Sequence, residues 1–337
     1  MVKLAIVGAT GMVGNEALIL LNTRHIKYDE LFLFASKKSA GLTRNIRGIE
    51  YRIIEYTSPD QFTGIDYVIL AVDTDISKDI ITRRHQNSCT VFIDNSSAFR
   101  MNQHIPLIVP EINMKECYHN HSTVISNPNC VTIIMLMALY PLHKSNKIKY
   151  INVNTYQAAS GAGMDAVKEL LDQTKSFAVG KEIVPHVFQS QYLFNAFSHN
   201  SSVNDVNGFN GEEEKVINET RKILGTHIDM DVSCTRIPTL RSHLINLVVV
   251  FENDTTVETI IDILQKSPGV YIRDDRKNNK FPEPLISSEQ DDVCVGRIRQ
   301  SYDGDNKRFL MSVCGDQIRK GAALNAVQIY EKLISDF

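Results

Sequence analysis

Charge of one sign is not in excess: 36 Lys and Arg stand against 39 Asp and Glu, a formal net charge of −3. Neither nucleic acid nor an anionic membrane is therefore indicated as a partner. No uncharged apolar run reaches the length of a membrane span. The apolar part of Met-Val-Lys-Leu-Ala-Ile-Val-Gly is too short, and too soon followed by glycine, for a signal peptide; it reads as a first strand. A regular cysteine framework is missing too. Cys89, Cys117, Cys130, Cys234, Cys294 and Cys314 are scattered, which points to reduced thiols in a cytoplasmic protein. There is no internal repeat and no low-complexity segment. Cys117, His119 and His121 alternate, but no fourth ligand stands nearby, so no metal is expected. What remains is the composition of a globular enzyme: 337 residues, 43% hydrophobic and 22% charged, enough for two domains with a sizeable core.

Residues 2–7 form an apolar strand broken only by Lys3, followed by Gly8-Ala-Thr-Gly-Met-Val-Gly14 and a helical pattern. Strand, glycine turn and helix in that order are the setting of a dinucleotide site. Gly8 and Gly11 let the backbone approach a pyrophosphate, and Gly14 lets helix pack closely on strand. The spacing is G-x-x-G-x-x-G, so a glycine-rich turn in another α/β protein is the alternative. A second strand, residues 31–35, is followed by Ser36-Lys-Lys-Ser39 where a NAD site would place Asp or Glu. Two hydroxyls and two lysines suit a ribose 2′-phosphate, so NADP is expected. Strands recur at 67–72 and 90–94 around a helical stretch at 76–85, which implies a parallel, doubly wound sheet. Asp73 and Asp75 are expected to cap that helix rather than hold a metal. Arg100, closing Asp94-Asn-Ser-Ser-Ala-Phe-Arg100, is an anion clamp or else a surface arginine.

In Ser126-Asn-Pro-Asn-Cys130, Pro128 turns Asn127 away from helical angles, Asn129 is a good cap, and Cys130 opens an apolar helix. A thiol at that position faces unpaired N–H groups and the positive end of the dipole, both of which favour thiolate. A buried structural cysteine is the alternative. Strands then lengthen, at 148–158, 232–237 and 244–251, with helical patterns at 164–173, 212–224 and 257–265. This predicts a mixed or antiparallel sheet with helices on one face. Residues 181–211 and 273–284 are expected as loops. Asn210 should cap a helix on which Glu212 and Lys215 share a face. Arg236 and His243 flank a connection through Pro238, so both can point at one cleft. The last helix, with Leu324, Val327, Tyr330 and Ile334 on one stripe, should return to the first domain.

These motifs resemble those of the aspartate-β-semialdehyde dehydrogenases. The matches run in order along nearly the whole chain: the Gly8 and Ser36 turns, Asp94 to Arg100, Val109-Pro-Glu-Ile-Asn113, Ser126-Asn-Pro-Asn-Cys130, Tyr156-Gln-Ala-Ala-Ser-Gly-Ala-Gly163, Glu212-Glu-Glu-Lys215, Arg236-Ile-Pro-Thr-Leu-Arg-Ser-His243 and Lys320-Gly-Ala-Ala-Leu-Asn-Ala-Val-Gln328. The glycine loop is weakly specific; Asn-Pro-Asn-Cys with the Gln, Arg and His motifs is highly so. The resemblance implies a Rossmann-like doubly wound parallel sheet over residues 1–129, completed by 318–337, and an α+β catalytic and dimerisation domain with a mixed sheet over 130–317. It implies NADP-dependent reduction of L-aspartyl-4-phosphate to the semialdehyde, serving lysine, threonine and methionine biosynthesis, by at least a homodimer, with a tetramer as the larger alternative. Cys130 would be the nucleophile, His243 the acid/base group, and Gln157 the residue that orients the acyl group. Arg236 would hold the α-carboxylate and Glu212 the α-ammonium. Arg100 and Lys215 would bind phosphate, beside Asn129. Gly8, Thr10, Gly11, Met12, Val13, Ser36, Lys37, Ser39, Ser160, Gly161 and Asn325 would contact NADP. The chain departs from the family pattern at Val131, at Lys37 and Lys38, and at Asp73. The competing readings are an N-acetyl-glutamyl-phosphate reductase, whose substrate has no free ammonium for Glu212 to meet, and a non-catalytic NADP-binding regulator.

Overall fold

The computed structural model describes residues 1–85, 89–119 and 122–335; His121 and the side chain of His119 lie outside the described residues. The chain divides into two compact units, Met1–Asn129 with Ala322–Phe337, and Cys130–Gly321.

The first unit is built on strands β1 (Lys3–Val7), β2 (Glu30–Ala35), β3 (Thr43–Ile46), β4 (Ile49–Glu55), β5 (Tyr67–Leu70), β6 (Val91–Asp94) and β7 (Val124–Ser126). Their order is β3-β4-β2-β1-β5-β6-β7, and every pairing is parallel except that of β3 with β4. The central strands read Lys-Leu-Ala-Ile-Val and Tyr-Val-Ile-Leu because both their faces are covered. Helix α1 (Met12–Thr23) buries Ala17, Leu18, Leu20 and Leu21 on one side, in a core shared with the C-terminal helix Leu324–Ser335. Leu324, Val327 and Tyr330 of that helix are buried there, with Ile334 packed against them. Helix α2 (Thr74–Arg83) places Ile80 and Ile81 in the core on the other side. At Gly8, φ is +83° and a Cβ would stand 2.1 Å from the Ala71 carbonyl oxygen; at Gly14 it would stand 2.1 Å from that of Gly8. The first and last glycines of the loop are therefore required by backbone crossing backbone. The β3–β4 hairpin was not expected. Its two-residue turn is Arg47-Gly48, both at positive φ, which lacks the Asn-Gly or Asp-Gly signal.

The second unit carries β8 (Ile148–Gln157), β9 (Phe197–Ser198), β10 (Asp229–Arg236), β11 (His243–Phe251), β12 (Val270–Ile272), β13 (Val293–Gln300) and β14 (Arg308–Gly315), in the order β12-β13-β14-β11-β8-β10-β9. The sheet is mixed: β8 pairs parallel with β10 and antiparallel with β11. Helix α3 (Cys130–Ser145) is buried almost all round, with every residue from Val131 to Leu139 inside. It packs against the sheet and against α5 (Gly211–Leu224) and α6 (Val257–Gln265), while α4 (Met164–Ala178) follows β8. The opposite sheet face presents Asn152, Asn154, Tyr156, Asn246, Val248 and Val250, all half-buried. Strands β13 and β14 also escaped the sequence reading. The register shifts between Gly296 and Arg299, with Arg297 at φ +51°, which breaks the period-two pattern of β13.

Candidate active site

In the first unit the carboxyl ends of β1, β2 and β5 border a cavity of about 730 Å³ lined by Gly8, Thr10, Gly11, Ser36, Lys37 and Tyr56, with Asp73, Asp75 and Asp79 on its wall. Thr10 Oγ1 donates to Ser39 Oγ at 3.2 Å, tying the glycine loop to the Ser36 turn. Gly11 is the N-cap of α1 and supplies no side-chain acceptor, so the helix start, Met12 and Val13, keeps its N–H dipoles for an anion. Asp73 occupies the N-cap position of α2, yet its carboxylate makes no capping bond. The expectation that it caps this helix is corrected: the carboxylate lies on the cavity wall. Tyr56, which sequence reasoning passed over, stacks on Phe62 with its hydroxyl buried and unpartnered. Arg100 is buried, and its Nη2 donates to the Asn95 carbonyl at 2.8 Å. Asn325 is wholly buried; its amide donates to Ile108 O at 2.9 Å and Asn127 Oδ1 at 2.6 Å. Asn129 is buried at the end of this unit.

In the second unit Cys130 opens α3 half-buried, and Gly321 runs beside it: a Cβ there would stand 2.8 Å from Cys130 Cβ. Strands β8, β10 and β11 are neighbours, and their ends carry Gln157, Arg236 and His243. His243 is fully buried. Its Nδ1 accepts the Ala158 N–H at 3.1 Å and its Nε2 has no partner. The neutral ring therefore carries its proton on Nε2. Arg236, also buried, donates from Nη1 to Ala158 O at 2.7 Å and from Nη2 to His199 Nε2 at 2.8 Å and Asn200 Oδ1 at 3.2 Å; its Nε is buried without a partner. Ser160 and Gly161 lie in this unit. At Gly161 a Cβ would stand 3.0 Å from His243 Nε2 and 3.2 Å from Arg236 Nη1, so one glycine lies against both residues. Gln317 holds the assembly from behind, donating to Ser160 Oγ and accepting the Ser242 N–H at 2.7 Å. Asn210 caps α5 in a full capping box with Glu213. Glu212 then stands buried, 3.4 Å from Gln157 Nε2 and 3.5 Å from Lys215 Nζ. The residues expected to hold the acyl group, carboxylate and ammonium are thus gathered in one unit. Arg100, Asn129, Asn325 and the glycine loop belong to the other.

Burial, with Arg236 adding to it, pushes His243 down to about 3, and burial pushes His199 down to about 4. Unfolded, both titrate near ~6.5. Between these values the unfolded chain binds more protons than the folded one, so stability is present above pH ~6.5 and lost as pH falls toward the folded values. Urea unfolding should show a lower midpoint at pH 5 than at pH 7. His243→Asn should flatten the slope by about 1.4 kcal/mol per pH unit, the share of one histidine.

Residues 3–119 match the family model described as the NAD binding domain of semialdehyde dehydrogenase, and residues 139–320 match its dimerisation domain. The chain is 43% identical to the aspartate-semialdehyde dehydrogenase of Synechocystis over 99% of its own length and 97% of that protein's. The chain belongs to the aspartate-semialdehyde dehydrogenase family. The Aquifex aeolicus member is 39% identical over 99% of this chain and 98% of its own. The crystal structure of aspartate semialdehyde dehydrogenase II from Vibrio cholerae superposes with a TM-score of 0.91 at 33% identity, covering 99% of both chains. The same Vibrio cholerae enzyme is also solved complexed with ASA. The first family segment contains the cavity, and the second contains Gln157, Glu212, Lys215, Arg236 and His243. Cys130 stands between the two segments, within the stretch that the full-length relatives span. Among the described residues no group of three or more His, Cys, Asp or Glu is placed to hold a metal, and no helix is long and apolar enough to cross a membrane.

Proposed function

We propose that this chain reduces L-aspartyl-4-phosphate to L-aspartate 4-semialdehyde with NADPH, reversibly, through a thioester on Cys130. The observation that carries the reading is the pair of buried, unpartnered nitrogens, His243 Nε2 and Arg236 Nε, beside a loop that only glycine fits. An unsatisfied buried donor is costly unless a ligand completes it. Arg236 suits the α-carboxylate and Glu212 the α-ammonium, with Gln157 between them and the acyl group. Lys215 and Arg100 are the cations assigned to phosphate. The Cys130 sulfur attacks the acyl carbon, the carbon–oxygen bond to phosphate breaks, and phosphate leaves with the electron pair. NADPH, which the Gly8 loop and the Ser36 turn would hold, would supply the hydride that reduces the thioester. The resulting alkoxide collapses, releasing the aldehyde and the Cys130 thiolate. His243, with its proton on Nε2, stabilises the oxyanion at each stage.

The glycine loop fits a dinucleotide: two glycines admit no Cβ, and the uncapped start of α1 offers N–H groups to a pyrophosphate. Lys37 and Lys38 are assigned to the 2′-phosphate of NADP. The half-buried polar face of the second sheet is the surface on which a second copy would pack, as the family description of this segment as a dimerisation domain supports. Purified protein should oxidise aspartate semialdehyde with NADP only when phosphate is supplied. Replacing Lys37 and Lys38 by alanine should raise KM for NADP about 10-fold or more and leave that for NAD nearly unchanged. Turnover without phosphate would refute the reaction; parent enzyme that uses NAD as well as NADP would refute the cofactor assignment. An N-acetyl-glutamyl-phosphate reductase would show the opposite substrate preference and would tolerate loss of the Glu212 carboxylate.

A further inference from the structure

The Arg236 guanidinium is held on three sides. Its Nη1 reaches the Ala158 carbonyl, Phe188 lies 5.9 Å from it at the ring centroid, and the Nη2 group meets His199 and Asn200. Arginine has only donors, so His199 Nε2 at 2.8 Å must be the bare nitrogen of the ring. The ring proton then sits on Nδ1 and is given to Ser201 Oγ at 3.1 Å. The Ser201 N–H also faces Nδ1, at 3.2 Å; a neutral ring accepts at only one nitrogen, and the shorter, charged contact from Arg236 at 2.8 Å assigns that nitrogen as Nε2. Ser201 Oγ continues the chain: it lies 3.2 Å from Asn210 Oδ1 and takes the Glu212 N–H at 3.1 Å. Asn210 is the cap of α5, and its Oδ1 receives the N–H groups of Glu212 and Glu213, both at 3.0 Å. Burial keeps the His199 ring neutral at neutral pH, by holding it down at about 4.

We propose that His199 is the positioning residue of the carboxylate clamp, fixing the Arg236 guanidinium and joining it through Ser201 and Asn210 to the first turn of α5, where Glu212 stands. This rests on the assignment of Arg236 to the α-carboxylate and Glu212 to the α-ammonium. The two charged groups of the substrate share one carbon, so the two protein groups that read them must be held at a fixed separation. A free guanidinium on a long side chain does not provide that; one pinned at Nη2 does. The chain is one of direct bonds from an acceptor on Nη2 to the backbone N–H of Glu212. The ring does not act on the reacting carbonyl, so its removal should weaken binding far more than the chemical step.

Four variants and one spectrum test this. His199→Leu should raise KM for aspartate semialdehyde about 10- to 100-fold, the loss of one bond to a charged group, with kcat changed less than about threefold. His199→Gln, which keeps an acceptor, should return KM to within about fivefold of the parent. In an Arg236→Met background, His199→Leu should add nothing. Nitrogen NMR of the histidine rings at pH 7 should show Nε2 bare and Nδ1 protonated at residue 199, a readout that needs no variant to fold. Equal damage from Leu and Gln, a fall in kcat with KM unchanged, or the opposite tautomer would overturn the proposal. If Arg236→Met itself leaves KM for the semialdehyde unchanged while discrimination against 3-aminopropanal, which lacks the carboxylate, persists, it is the underlying assignment of Arg236 that fails.

Discussion

Replacing Cys130 by alanine is expected to lower kcat by at least about 10⁴-fold in both directions, a loss of roughly 5.5 kcal/mol of transition-state stabilisation. The argument rests on what distinguishes this thiol from the others. Cys117, Cys234 and Cys314 are buried, and burial pushes each of them up to about 12, so they remain protonated and inert. Cys294 is raised by the same cause. Cys130 alone among the described cysteines is half-buried at the start of a helix, and the Arg236 guanidinium is near enough to feel its charge. A cation and a helix N-terminus both favour thiolate. The check is twofold. Steady-state rates should vanish in the variant while NADP binding, measured by fluorescence titration, stays within about threefold, because the glycine loop belongs to the other unit. Mass spectrometry of the parent, given semialdehyde and NADP in phosphate-free buffer, should show an aspartyl adduct on Cys130, and none in the variant. Activity near the parent level would sink the covalent route.

Much of this was legible because the residues concerned punctuate the chain. Pro128 and Asn129 end one element and begin another, and the apolar run after Cys130 is long enough to read as a buried helix, which it is almost all round. Asn210 followed by Glu213 is a capping box in sequence before it is one in space. Arg236 and His243 could be paired because they end and begin strands consecutive in the chain, β10 and β11, that lie on either side of β8. What escaped notice had no periodic signal. His199 follows a two-residue strand in a polar stretch, and nothing in Phe-Ser-His-Asn-Ser marks it as the acceptor for an arginine 37 residues later. The same holds for Ala158, whose contribution is made entirely by its backbone: its N–H sets the tautomer of His243 and its carbonyl holds Arg236. Backbone groups carry no sequence signature, so the electrostatics of this site are visible only in three dimensions. Asp73 shows the converse. Its position before α2 reads as a cap, but the helix starts without that bond and the carboxylate faces the cavity.

His243→Asn should separate the proton function of the ring from its structural one. Asparagine Oδ1 occupies the place of Nδ1 and can accept the Ala158 N–H, now 3.1 Å from the ring, but it offers nothing where Nε2 stood. The expected result is a fall in kcat of about 10²- to 10⁴-fold with KM changed by less than about threefold. Thermal stability should stay close to the parent. His243→Ala should lose activity to the same degree and also stability, by about 1–3 kcal/mol, because the Ala158 N–H is then left buried without an acceptor. The contrast decides between two accounts of the residue. If His243 only supports Ala158, the asparagine variant should be nearly fully active. If its Nε2 proton stabilises the oxyanion formed at the acyl carbon, both variants fall together in rate and part company in stability. Since the ring titrates only near pH 3 when folded, the rate of the parent should show no acid limb from this residue between pH 5 and 8. A limb near the ordinary histidine value that disappears in His243→Asn would mean that the ring cycles through its charged form, with Nδ1 giving up its bond to Ala158 to take the proton.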